Sequence, residues 1–327
     1  MGIKVANTDS IAEAGEILKS GGLVGMPTET VYGLAGSALD GEAVARIFEA
    51  KGRPSFNPLI IHVPDLSSAA AFVEISDEAR AVAHAFWPGP MTLILPRKSG
   101  CDVSELASAG LDTLAIRVPS HPVARELLKT CGVPVAAPSA NKSGSLSPTT
   151  PAHVHDSLGP SVDLILAAGA CDVGLESTVL DLSEDVPVIL RPGAVTAEQL
   201  SDVLGLDVRY ASANADVPKS PGMLLKHYAP DLPVRLNAID LEEGEALLAF
   251  GSDRFMAVKG GGPASGLPDD WRRNLSEVRD LHEAAANLFA MLKELDQSGA
   301  KGIAIMALPE TGIGAAINDR LRRAAQR

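Results

Sequence analysis

Cysteine is scarce in this chain of 327 residues: Cys101, Cys131 and Cys171 stand far apart and form no CxxC pair. That excludes a disulfide framework and a cysteine-based zinc site, so the three thiols read as small buried hydrophobes and no metal-ligand set is expected. No apolar run approaches the roughly 18 residues needed to cross a bilayer. The opening MGIKVANTDS has no apolar core of a signal peptide, so a cytoplasmic protein without membrane contact is the default expectation. Positive charge is in deficit, with 28 Lys and Arg against 41 Asp and Glu and a net charge of −13. Such a chain repels polyanions at long range, which argues against a surface built to hold nucleic acid. A small phosphate-bearing ligand in a local basic pocket fits the balance better.

The rest of the composition is that of a folded soluble chain, 46% hydrophobic and 21% charged, and its 30 Gly and 23 Pro indicate many tight turns. The length predicts two domains. Up to about residue 207, β-rich runs (GGLVGMPT, NPLIIHVP, MTLILPR, TLAIRVP, VPVAAPSA, VDLILAAG, ESTVLDL, PVILRPG) alternate with helical stretches such as SIAEAGEILKSG, GEAVARIFEAKG and HPVARELLKTCG, each ending in Gly. The expected fold is α/β, with a mixed sheet and helices in residues 1–207. Residues 208–230, rich in Ser, Ala and Pro, read as a linker. Residues 231–327 predict a small Rossmann-like parallel α/β domain, with strands PVRLNAI, EALLAFG and GIAIMAL, a long helix over 276–299 and a terminal helix over AAINDRLRRAAQ. There is no internal repeat.

Several stretches could carry chemistry. PTETVYGLAG places Thr28, Glu29, Thr30 and Tyr32 after a strand, at the edge where open α/β folds bind ligands; taken alone, the stretch is better explained by capping at Thr28 and a core ring at Tyr32. KGRPSFNPLIIHV holds Lys51, Arg53 and Asn57 on a proline-stiffened turn ahead of a buried strand bearing His62. Arg117 lies inside the apolar strand TLAIRVP and needs an anion, either an internal carboxylate or a ligand carboxylate. APSANKSGSLSPTT supplies Ser139, Asn141, Ser147 and exposed amides suited to phosphate, although no GxxxxGK[ST] loop is present. A hairpin between GLESTVLDL and ILRPGA would bring Ser177 and Arg191 to one edge. GGGPASG and GIGAAINDRL read as a loop and a turn with a helix cap, not as dinucleotide fingerprints.

Taken in order, KGRP-x₃-P, the strand bearing Arg117, PSAN-x-SG-x₂-SPTT, ESTVLDL and LRPG resemble the YrdC domain. SPGM-x₃-HYAP, followed by a small α/β domain ending in GIGAAINDRLRRAA, is similar to the two-domain Sua5 form of that family. The resemblance covers almost the whole chain. It implies a nucleotidyltransferase, L-threonylcarbamoyladenylate synthase, which condenses L-threonine, bicarbonate or CO₂, and ATP with Mg²⁺ to threonylcarbamoyl-AMP and pyrophosphate. The product feeds threonylcarbamoyladenosine formation beside the tRNA anticodon, through a downstream transfer machinery. No tightly bound organic cofactor is implied, and direct tRNA binding stays open.

Carried over residue by residue, the resemblance implies that L-threonine meets Thr30, His62, Arg117, Ser177 and the backbone of Ala137, with Tyr32 a further pocket candidate. ATP would meet Arg53, Asn57, Thr113, Ser139, Ser147, Arg191 and Tyr228, with Asn141 and His227 beside it. Lys51, Arg53 and Arg191 would supply charge to the transfer. Leu224 and Leu225 stand where the family often has a basic or aromatic residue, which weakens the case for extra linker contacts to phosphate. SPGMLLKHYAP is expected to act as a lid over the first domain's pocket. A hydrogenase-maturation relative would need cysteine-rich zinc motifs that are missing here. The alternative of another class is a YrdC-type RNA-binding or regulatory module without turnover.

Overall fold

The computed structural model describes residues 2–211 and 228–326. Within them the chain forms two compact units: the first holds residues 2–143, 148–172 and 176–211, the second residues 144–147, 173–175 and 228–326. The strands of the first unit are, in chain order, β1 (Gly2–Val5), β2 (Val24–Met26), β3 (Gly33–Ser37), β4 (Ile60–His62), β5 (Met91–Pro96), β6 (Thr113–Arg117), β7 (Val135–Ala136), β8 (Leu164–Ala167), β9 (Thr178–Asp181), β10 (Val188–Arg191) and β11 (Arg209–Tyr210). They form one sheet in the order β1-β8-β2-β3-β7-β4-β6-β5-β9-β10-β11. The sheet is mixed: β4–β6 and β5–β9 are parallel, β5–β6, β4–β7 and β9–β10 antiparallel.

Alternation along the central strands sorts their side chains. Ile61, Ile116, Leu93, Leu180 and Ile189 enter the main core, where Val44, Ile47, Val82 and Leu200 also pack. The opposite face carries a row in which Val135 lies opposite His62, His62 opposite Arg117, Arg117 opposite Thr92, Thr92 opposite Val179 and Val179 opposite Arg191. Directly opposed residues share a face, so these side chains line up across six adjacent strands. Arg191 joins the row because the ladder slips between Ile189 and Arg191, leaving Leu190 as an extra residue. A regular ladder would turn the arginine to the core face.

Helix boundaries follow local capping. Asp40 accepts from the N–H groups of Glu42 and Ala43 to start Gly41–Lys51, which stops at Gly52 with φ 59°, a conformation that glycine adopts without strain. Pro122–Cys131 stops in the same way at Gly132, whereas Thr8–Lys19 is capped by Ser20, one residue before its expected glycine.

In the second unit, β12 (Val234–Arg235), β13 (Glu245–Ala249), β14 (Arg272–Asn274) and β15 (Gly302–Ile305) form an all-parallel sheet in the order β12-β15-β13-β14. The long helix expected over 276–299 is shorter, Leu281–Asp296: the Asp280 side chain caps it by accepting from the N–H groups of His282 and Glu283. Ahead of it Arg279 takes φ 64° and Ser276 accepts from the Asp280 N–H, which is a turn and not a helix. GIGAAINDRL is a turn and cap as expected, with Gly312 at the N-cap of Ile313–Ala324. Among the described residues no helix is long and apolar enough to cross a membrane.

Candidate active site on the sheet of the first unit

The polar row is assembled by elements that tie themselves together through buried hydrogen bonds. After β2 the chain turns through residues 27–32, where Thr28 Oγ1 donates to the Val31 carbonyl at 2.6 Å and lies 2.8 Å from Thr30 Oγ1. This fixes Glu29, whose Oε1 accepts from Arg117 Nη2 at 2.7 Å and whose Oε2 accepts from the Ser120 N–H at 3.1 Å. Burial pushes the Glu29 carboxyl up, but the Arg117 charge and these hydrogen bonds outweigh it, so the group is held below the ordinary carboxylate range. Arg117 therefore has an internal carboxylate. That partner occupies only one nitrogen, and Arg117 Nε is buried with no hydrogen-bond partner.

His62, 2% exposed, faces Arg117 in the row and lies 3.2 Å from the Ile60 carbonyl through Nδ1. A carbonyl only accepts, so Nδ1 carries the proton. Burial, then the Arg117 charge, drives the imidazole pKa down to about 3, and the ring is neutral at physiological pH. On the other side Thr92 Oγ1 lies 2.7 Å from Ser177 Oγ, and Arg191 Nη2 donates to Ser177 Oγ at 3.1 Å and to its carbonyl at 2.9 Å. The hairpin thus brings Ser177 and Arg191 together. Its return is possible only with glycine at 193: a Cβ there would lie 2.4 Å from the Thr178 nitrogen and 2.7 Å from the Glu176 carbonyl oxygen.

Lys51 closes Gly41–Lys51 and donates its ammonium to the carbonyls of Ser139 and Asn141, both at 2.6 Å, while Ser143 N–H returns to the Lys51 carbonyl. The PSAN loop is clamped through its backbone. Burial, then the charge of Arg53, pushes the Lys51 pKa well below the ordinary lysine value. Arg53 donates Nε to the Asn57 carbonyl at 3.2 Å and Nη2 to the Pro58 carbonyl at 3.0 Å, stiffening the turn into β4. Asn57 is 1% exposed, yet neither its Nδ2 nor its Oδ1 has a partner. An amide buried this way costs about 1–3 kcal/mol.

Val179 of the row joins Ile60, Ile94 and Ala115 in a small apolar patch on the same face. Thr113, half-buried, shares this face of β6 four residues before Arg117, about 13 Å away at strand rise. Ala137 lies two residues beyond Val135, and its N–H donates to the Ile60 carbonyl. The ring of Tyr32 belongs to the main core, and its hydroxyl donates to the Gly169 carbonyl at 2.8 Å. Burial raises its pKa to about 12. Sequence reasoning missed Thr92 and named Glu29 only among the residues that follow a strand. A lone threonine in MTLILPR was the available signal for the first; the second has no local signal, because its partner is 88 residues away.

Ser147 belongs to the second unit and is buried. So does Tyr228, 1% exposed at φ 61°, whose ring lies 5.5 Å from that of Phe289, with Arg320 Cζ 5.2 Å from its centroid. His227 and the rest of SPGMLLKH lie outside the described residues. The second unit also has a cavity of about 690 Å³, lined by Gly251, Asp253, Arg254, Arg272, Asn274 and Glu277, with Pro263 and Ser265 of GGGPASG, and by none of the candidate site residues. Among the described residues no three His, Cys, Asp or Glu side chains gather as a metal site.

The fold and the row define a class: an α/β protein whose mixed sheet holds cations, hydroxyls and a neutral histidine on one face. The chain belongs to the Sua5–YciO–YrdC family, whose model, described as telomere recombination, matches residues 16–193. A second model, described as threonylcarbamoyl-AMP synthase, C-terminal domain, matches residues 195–326. The threonylcarbamoyl-AMP synthase of Bacillus subtilis is 39% identical over 326 residues, 98% of this chain and 94% of that one. The Pyrococcus abyssi enzyme of the same name is 40% identical over 322 residues, covering 95% and 93%. The crystal structure of P. abyssi Sua5 with L-threonine superposes with a TM-score of 0.86 at 36% identity, covering 99% of this chain and 96% of that one.

Proposed function

We propose that this chain is an L-threonylcarbamoyladenylate synthase, a nucleotidyltransferase that supplies threonylcarbamoyl-AMP for tRNA modification. The observation that carries the reading is the half-used Arg117 fork, buried in line with a neutral His62 and an apolar patch. Arg117 Nε is the donor for the threonine carboxylate, a charge-assisted bond of the kind arginine makes best. Thr30, His62, Ser177 and the backbone at Ala137 surround the rest of the amino acid. The threonine amine, once neutral, attacks CO₂ through its lone pair and loses a proton. The carbamate oxygen then forms a bond to the α-phosphorus of ATP as the bond to the pyrophosphate oxygen breaks.

No side-chain nucleophile is needed. The work of the protein is to position two anions and to hold fixed positive charge beside the phosphates, in a site where neither donor nor dipole must reorient. Lys51, Arg53 and Arg191 supply that charge. Asn57, Thr113, Ser139 and Asn141 complete the nucleotide set within the first unit, and ATP enters as its Mg²⁺ complex. The apolar patch gives the long axis of an adenylate a dry floor between Arg117 and Thr113. In this reading residues 1–207 are the catalytic domain, 208–230 a lid and 231–327 a supporting domain, in a cytoplasmic enzyme.

Pure protein incubated with ATP, Mg²⁺, labelled bicarbonate and each amino acid in turn should release pyrophosphate only with L-threonine. Absence of threonine-dependent release would remove the enzyme reading. Salt-sensitive retention of tRNA on a filter without turnover would replace it with the binding-module alternative.

A further inference from the structure

Glu29 is not used by the chemistry above, yet it is 6% exposed and both its oxygens are engaged. A carboxylate with its lone pairs aimed at Arg117 Nη2 and the Ser120 N–H has no oxygen directed at a substrate amine. Its depressed pKa makes it a poor proton acceptor as well. Three constraints converge on it: the Thr28–Thr30 hydroxyl turn fixes its backbone, the Ser120 amide fixes one oxygen, and the other grips the guanidinium by its Nη2. A planar guanidinium held at one terminal nitrogen cannot rotate without losing that bond, so Nε is held in one direction.

We infer that Glu29 is a positioning residue for substrate recognition: it clamps the Arg117 guanidinium by Nη2 so that Nε presents a fixed donor to the amino-acid carboxylate. The inference rests on the functional reading above, through the assignment of Arg117 to the carboxylate. It also explains how a cation can stay buried before substrate arrives, since the internal carboxylate offsets the desolvation of the guanidinium. Glu29 thereby sets the affinity for the amino acid without touching it.

The test is steady-state kinetics and calorimetric titration of L-threonine on the full chain, for wild type, Glu29→Gln, Glu29→Asp, Arg117→Ala and the Glu29→Gln/Arg117→Ala double variant. Gln is near-isosteric, but its amide places donor against donor at Arg117 or at Ser120. We expect KM and Kd for L-threonine to rise about ten- to a hundredfold, the range for one lost charge-assisted hydrogen bond, with kcat within about threefold and KM for ATP unchanged. Glu29→Asp should fall between, and Glu29→Gln should add nothing once Arg117 is gone.

Unchanged threonine affinity in Glu29→Gln overturns the inference. So does a fall in kcat at constant KM, which would mark a proton acceptor, or a parallel loss for ATP and threonine with a lowered Tm, which would mark a purely structural role. Where Glu29→Gln fails to fold, Glu29→Asp carries the same test. Failure of the wild-type chain to bind L-threonine would instead sink the functional reading, and the two failures are told apart by that control.

Discussion

Each unit has a carboxylate–arginine pair beside its sheet, and the two pairs are built differently. In the first unit Arg117 offers one nitrogen to Glu29 at 2.7 Å, with side chains 5% and 8% exposed, and Nε is left buried without a partner. In the second Arg272 offers Nε and Nη2 to the two oxygens of Asp253 at 2.5 and 2.9 Å, and 43% of its side chain is exposed. The second arrangement is the parallel fork that satisfies both partners. The first leaves a desolvated donor unmatched, which folding alone does not favour. A fully used fork stabilises a fold; a half-used, buried one keeps a donor available, which is the role proposed above for Arg117.

The largest effect should separate these pairs directly. Arg117→Ala removes one partner of a buried pair, worth about 3–5 kcal/mol of stability, and should lower kcat/KM for L-threonine more than about a hundredfold. Arg272→Ala should leave turnover within about twofold and cost about 1 kcal/mol, because its pair is partly exposed. Equal losses of activity in the two variants would break the comparison.

Asn57 tests the same idea with an uncharged group. Asn57→Leu keeps the volume and deletes an amide without partners, so the urea midpoint should rise by the equivalent of about 1 kcal/mol while KM for ATP rises about tenfold or more. A lower urea midpoint with KM for ATP unchanged would mean that the amide serves the fold.

Acid stability offers a third contrast. The folded pKa of His62 is about 3 against 6.5 for a free imidazole. Between these values the unfolded chain binds a proton that the folded chain refuses, so stability is full above 6.5 and falls as pH drops toward 3. Asp253 is held below its ordinary value of 3.8, chiefly by its hydrogen bond to Arg272, and its contribution is lost only as pH falls below that value. Denaturation across pH should show His62→Gln flattening the limb between about 3 and 6.5, with Asp253→Asn changing only the more acid end. The smallest effect belongs to Thr92→Val, which loses one hydroxyl contact to Ser177: about 1 kcal/mol of stability and less than a tenfold change in turnover.

Much of this architecture could be read before any coordinates. The apolar runs around Ile61, Ile94, Ile116 and Leu180 are β-branched or leucine-rich and became the central strands, and the Ser177–Arg191 hairpin followed from a short connection between two such runs. The strand Gly33–Ser37 was missed because GLAGS has no β-branched residue to mark it; burial on both faces by neighbours holds it extended. Arg272–Asn274 was missed because a polar edge strand shows no alternation. In the site, residue types were legible and partnerships were not. Whether Arg117 meets an internal carboxylate or a ligand depends on Glu29, and only the register of the sheet brings the two together.

The extra residue at Leu190 has a consequence for how this chain tolerates change. It acts as a phase shift: side chains before it keep time with the hydrophobic interior and the one after it keeps time with the ligand face. Losing that single residue would leave a regular ladder in which Ile189 still faces Leu180 and Arg191 still faces Val179; pairing Leu190 into the ladder instead would send the guanidinium to the core face. The slip, here, encodes polarity: a one-codon deletion at 190 keeps the arginine on its face, whereas a one-codon insertion beside Leu190 would have to be absorbed by a wider bulge or would turn the arginine inward.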